Sequence, residues 1–164
     1  MAVDPTQLKY YLNPTSNSDP NLSLGGSGEG SEIGSGIHAL FDRVTPAEAS
    51  AGDIEYRSCS VKNTNPTDTL YDAVVWISTE TSSTDTTVAL AYDSTGTQSV
   101  VNESTAPSSP ALSFSTPTSK ATGIALGDMA PAAVKRIWLR RTVTAGAAGS
   151  ASDAGALSIG GGTV

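Results

Sequence analysis

The chain is short of most of what chemistry is built from. Its 164 residues include one cysteine, Cys59, and one histidine, His38. A single thiol excludes an intrachain disulfide framework and any cysteine-built zinc cage. His38 lies inside the apolar run Ile37-His-Ala-Leu-Phe41, where a lone imidazole is more often structural than a base. No apolar run approaches the roughly 18 residues of a membrane-spanning helix, and no charged-then-apolar leader opens the sequence. The expectation is a soluble chain made in the cytoplasm, with no membrane partner. Aromatic residues make up 5% and charged residues 15%. The length is enough for one domain with a core, but that core must be small and much of the chain loop or arm.

Catalytic and ligand-binding patterns are missing as well. No strand-turn-helix elbow of the G-x-S-x-G type is present. The glycine-rich "GGSGEGSEIGSG" lacks the Gly-Lys-Ser/Thr ending of a phosphate loop, and "DSTGTQ" supplies one carboxylate where a calcium loop needs several. The tripeptides Asn21-Leu-Ser and Asn102-Glu-Ser match the glycosylation pattern by chance in a Ser-rich chain. The chain therefore reads as a non-enzyme with no cofactor and no metal.

What is present is the punctuation of an all-β domain, short β-branched and aromatic runs between turn-forming residues. "IHALF" (37–41), "IEYRSCSVK" (54–62), "TLYDAVVWIS" (69–78), "TVALAY" (87–92), "VKRIWLRRTV" (134–143) and "ALSI" (156–159) are expected strands. Weaker ones are "QSVV" (98–101), "LSF" (112–114) and "GIAL" (123–126). No long segment holds a helical period. Seven to nine such strands with polar connections indicate an antiparallel β-sandwich, immunoglobulin-like or jelly-roll, over residues 37–164. The expected core draws on Leu40, Ile54 or Val61, Val75, Ile77, Leu90, Ile137 and Leu139. Residues 1–36 read as an extended Gly/Ser-rich arm that does not recover its ordering entropy from a core of its own. Tyr10, Tyr11, Leu22 and Leu24 are its spaced anchors for a neighbouring subunit.

Net charge is -7 with nine Lys and Arg, yet four of the nine fall within Val134–Arg141, "VKRIWLRR", around one of two tryptophans. Alternation puts Ile137, Leu139 and Val143 on one face, with Lys135 and Arg141 at its edge, and Arg136, Trp138 and Arg140 on the other. Two readings compete. Trp138 is core with the arginines as a solvated rim, or the three residues form a contact patch for an acidic protein surface. A net negative chain with cations on both faces of one strand makes a poor nucleic-acid groove, so no nucleic acid is expected as partner.

The ordered series "NSDPNLSLGG", "LFDRV", "GDIEYRSCSVKNTNPTDTLYDAVVWIS", "DTTVAL", "LGDMAP" and "IWLRRTVTAGA" resembles a group of small virion structural proteins of tailed bacteriophages and prophages. The resemblance covers roughly residues 17–147. It implies a virion component made in the bacterial host, decorating or cementing the capsid shell, with a tail or baseplate accessory position as the alternative. It also implies other virion proteins as partners, the major capsid protein first, and a homo-oligomer within the particle. A host-surface glycan-binding module is the competing class, although the loops offer few aromatics for it.

Overall fold

A computed structural model describes residues 3–36, 38–150 and 153–162. Among these, seven strands are formed: β1 (Leu8–Leu12), β2 (Asp53–Asn63), β3 (Leu70–Thr79), β4 (Thr86–Asp93), β5 (Ile124–Met129), β6 (Val134–Val143) and β7 (Ala156–Gly162). They build two antiparallel sheets, one ordered β1-β2-β6-β4 and the other β5-β3-β7. This is the expected all-β sandwich.

Alternation along each strand sets the core. Cys59 and Val61 of β2, Leu90 of β4, and Ile137 and Leu139 of β6 face Leu70, Ala73, Val75 and Ile77 of β3 with Leu126 and Met129 of β5. The register places Cys59 opposite Ile137 and Leu90 opposite Leu139, so apolar side chains line up across three strands. The expected core residues are found there, Leu40 as a partly buried neighbour. Ile54, the alternative to Val61, lies on the opposite face and is 46% exposed.

The turn after β2 is held by side chains standing in for backbone. Asn65 Oδ1 accepts from the amides of Thr67 at 2.8 Å and Asp68 at 2.7 Å. Helix is confined to short pieces. The α-helix α1 (Pro46–Ala51) opens on a capping box between Thr45 and Glu48 and stops at Gly52, whose φ of 79° suits glycine.

Three of the expected strands do not form. In "IHALF", Ile37 lies outside the described residues, and residues 38–41 turn instead of extending. His38 is exposed with φ 58°, which breaks an extended run, and Phe41 is drawn inward to cover two guanidiniums. "QSVV" and "LSF" contribute only isolated bridges nearby, Ser99 to Gly25 and Ser115 to Leu90.

The boundary expected at residue 36 is also corrected. Leu8–Leu12 is a strand of the larger sheet, with Tyr10 opposite Val61 and Leu12 opposite Cys59. Val3, Leu8 and Leu12 are buried. Residues 13–31 fold back as a hairpin-like strap, in which Thr15 N–H donates to the Ser27 carbonyl and Gly30 N–H to that of Leu12. The physical reason is that β6 satisfies only one edge of β2, and the backbone groups on its other edge over Cys59–Asn63 need a partner, which β1 supplies. Replacing Leu12 by Ala is therefore expected to destabilise the isolated protein by about 2–4 kcal/mol, read as a lowered midpoint in urea unfolding. A detached arm would show no change.

Candidate interaction surface

Strand β6 carries the candidate residues, and its two faces meet different surroundings. The face bearing Arg136, Trp138 and Arg140 is covered by the chain itself. Trp138 is 0% exposed. Across the sheet it is flanked by Ser58 of β2 and Ala91 of β4, whose small side chains leave a slot for the indole. Gly25 closes the slot from above. With φ 89°, a Cβ there would collide with the Gln98 carbonyl and stand 2.7 Å from the Trp138 ring. Gly26 N–H then donates to the Gln98 carbonyl at 2.8 Å, locking strap and loop together.

Arg136 is buried and spends its guanidinium on the same strap. It donates to the Gly26 carbonyl and, at 3.4 Å, to that of Gly28. Burial depresses its pKa, though Asp93 and Glu29 counteract this in part. Asp93 lies opposite Arg136 in the register. Its carboxylate also caps the turn after β4, accepting from the amides of Thr95 at 2.9 Å, Gly96 at 3.1 Å and Gln98 at 3.2 Å. Burial alone would raise its pKa, but the hydrogen bonds from Thr95, Gln98 and Gly96 outweigh it and hold the carboxyl below its usual value. Arg140 is half-buried over the Phe114 ring, 5.4 Å from its centroid, and Phe114 in turn meets Tyr56 edge-on. The Nε groups of Arg136 and Arg140 and the indole N–H find no acceptor among the described residues. Packing is what this face is built for.

The docking patch expected at Arg136, Trp138 and Arg140 is thus corrected. The three residues do share the outer face of β6, but a second layer of non-repetitive chain covers it. The arm anchors are likewise turned inward in part. Tyr10 packs against the core, and burial pushes its phenol up. Tyr11 bridges to Glu32, Leu24 is half-buried, and Leu22 remains 59% exposed beside a surface depression lined by Pro14–Asp19.

The hub of the strap is Asn13, which the sequence did not single out. Fully buried, it donates from Nδ2 to Ser60 Oγ at 2.8 Å and to the Gly28 carbonyl at 3.1 Å. Its Oδ1 accepts from Ser58 Oγ at 2.9 Å, and its own amide donates to Ser23 Oγ. The pair Ser58 and Ser60 on the outer face of β2 was the available signal, since two small polar residues there require a polar partner once covered.

A second cluster was also missed. On the core face, where Glu55 pairs with Arg141 across β2 and β6, two guanidiniums are buried. Arg141 Nε donates to Glu55 at 2.5 Å and Nη1 to the Asp42 carbonyl at 2.7 Å, while Arg57 pairs with Glu103. The Phe41 ring lies 4.9 Å from Arg141 and 5.8 Å from Arg57. Burial pushes the Glu55 carboxyl up to about 7 against the pull of Arg141 and Arg57. Carboxylate oxygens of Asp42, Glu55 and Glu103 lie within 4.8 Å of one another, a spacing that suits a cation. The two guanidiniums already supply that charge, so the cluster is an internal ion-pair network. Its signal was Glu55 and Arg57 alternating with Cys59 and Val61. Cys59 itself is buried, and burial pushes its thiol up to about 12, far from a reactive thiolate.

No family model, curated protein or solved structure matches the chain.

Two outcomes check this account. Trp138→Ala should destabilise the fold by about 3–5 kcal/mol, and Gly25→Ala should also lower the urea midpoint by forcing strap and indole apart. A docking tryptophan would leave both midpoints unchanged. For Asp93 the sign follows from a carboxyl held below its unfolded value of 3.8: its stabilisation is present above that pH and is lost as pH falls through the lower folded value. Melting temperatures of the protein and its Asp93→Asn variant should therefore converge in acid and separate at neutral pH.

Proposed function

We propose that the chain is a non-enzymatic structural component of a bacteriophage particle, decorating or cementing the capsid shell through contacts with other virion proteins. The observation that supports this best is where the family-like motifs lie. "NSDPNLSLGG" is the strap over Trp138, and "LFDRV" delivers Phe41 and Asp42 to the buried guanidiniums. The remaining stretches are β2 with β3, β4, β5 and β6. The motifs of the resemblance thus fall on the segments that build the fold itself, which suits a structural role.

Charge distribution favours a protein neighbour over a polyanion. Arg57, Arg136 and Arg141 are buried, Lys9 and Lys62 pair with Glu32 and Glu29, Lys135 and Arg140 lie over Tyr92 and Phe114, and Lys120 donates to the Gly161 carbonyl. Of nine cations, only exposed Arg43 lacks such a contact among the described residues. Exposed carboxylates such as Asp19, Asp72, Glu80 and Asp128 therefore dominate the charge of the outer surface, which suits a basic or neutral protein face and repels nucleic acid. This replaces the acidic partner surface expected from the "VKRIWLRR" cluster.

Gradient-purified particles of the phage or prophage that encodes the chain should contain it in multiple copies, with density on the capsid in an image reconstruction. Density on the tail would select the accessory alternative. Absence from washed particles, with the protein in the soluble lysate, would overturn the reading.

A further inference from the structure

The two sheets have four outer edges, and the chain treats one of them differently. Beyond β1, Leu12 N–H donates to the Ser31 carbonyl and Ile33 N–H to that of Tyr10. Beyond β4, Leu90 and Ser115 exchange both backbone hydrogen bonds at 2.7 and 2.9 Å. Strand β5 is blunted by a register shift against β3, by Gly127 at φ 70° and by exposed Asp128. Those are the usual devices against edge pairing.

Strand β7 also shifts register against β3, but among the described residues no backbone hydrogen bond reaches it from beyond its ladder and it carries no charged residue. Its ladder runs to β3 alone. The other polar contacts to its backbone among the described residues come from two side chains, Ser78 Oγ to the Ala156 carbonyl and Lys120 Nζ to that of Gly161. It is also the one strand of the seven with no buried residue. Leu157 and Ile159 pair with Ile77 and Val75 and pack against the core, yet both remain partly exposed. The sandwich is left open along this side.

We propose that β7 is a self-association edge, on which a second copy of this chain adds its own β7 antiparallel across a two-fold axis. The occupant follows from charge. Across such an axis each side chain meets a copy of its own strand, so like charges would repel. From Ala154 to Gly162 there is no charged residue, in a chain of net charge -7. The ends of the strand are complementary. Asp153, just before β7, is held by the Ser83 amide at 2.9 Å, and Lys120 sits at the Gly161 end. Antiparallel pairing brings the Asp153 end of one copy to the Lys120 end of the other. It also extends each small sheet over Leu157 and Ile159, joining the two into one six-stranded sheet ordered β5-β3-β7-β7-β3-β5. One short strand pair buries less than a standard interface, so association is expected in the micromolar range rather than tighter. The inference stands whether or not the chain is a virion component.

The test uses the full chain. Sedimentation velocity over a wide concentration range should show a reversible monomer–dimer equilibrium. Hydrogen exchange should show protection of amides 156–162 rising with concentration while the larger sheet is unaffected. Lys120→Glu, at an exposed position, and Ser158→Lys, at the middle of the edge, should each weaken the dimer by about tenfold or more without lowering the melting temperature. If Ser158→Lys fails to fold, Lys120→Glu and the exchange pattern of the unaltered protein decide. A chain that stays monomeric at all concentrations, or a dimer whose β7 amides exchange as fast as in the monomer, overturns the proposal.

Discussion

Burial of β6 on both faces is the constraint on which the rest of the structure depends. The strand pairs with β2 on one side and β4 on the other, so its backbone is satisfied, but its side chains must be accommodated in two directions. Toward the smaller sheet it presents Ile137 and Leu139, which the sandwich core absorbs. Away from it stands an indole flanked by two arginines. Leaving Trp138 in water would expose one of the largest apolar groups the chain owns, in a sequence with few aromatics. The strap and the 94–115 loop are the answer to that exposure.

Covering the outer face imposes costs that explain the polar details. Placing loops over a sheet buries backbone groups that no ladder satisfies, and a guanidinium beneath them needs acceptors. Gly26 and Gly28 supply carbonyls to Arg136 at a close approach that side chains on the strap would prevent. Asn13 and Asp93 do the complementary work, each gathering several donors at one point. The same logic operates on the core side, where Arg57 and Arg141 extend the sheet past its apolar residues and need Glu55, Glu103 and Asp42 to be tolerable there.

How much of this could be read from the residues depends on periodicity. Period-two alternation located β2, β3, β4 and β6 and assigned the faces of β2 and β6 as found, because a pleated strand leaves no freedom in that choice. Alternation names which residues share a face and is silent on whether another layer lies above it. Hence alternation leaves Trp138 open between core and contact patch, where it is in fact buried, and Leu8–Leu12 reads as part of an arm although it is an edge strand. The covering segments have no period at all, since their hydrogen bonds run to side chains and to isolated bridges. Composition could only mark them as Gly- and Ser-rich. The usable clue was indirect: Ser58 and Ala91 beside Trp138 are too small for an exposed face that needs no slot.

A consequence follows for where contacts with other molecules can form. When strap and sandwich share Asn13, Gly25 and Arg136, neither can be released without exposing buried polar groups of the other, so residues 13–31 are a poor candidate for reaching across to a neighbour. Most of the cations that would anchor an interface are held inside or along the surface by partners of this same chain. Among the described residues, recognition can draw on an acidic exterior, on scattered exposed apolar side chains (Leu22, Ile54, Tyr71, Val101 and Val134) and on the sheet edge at β7. Acidic loops give orientation and salt dependence but little grip, whereas backbone pairing along an edge gives grip that does not depend on side-chain identity. A chain this poor in aromatics on its surface is thus better suited to joining others through its sheets than through side-chain hot spots.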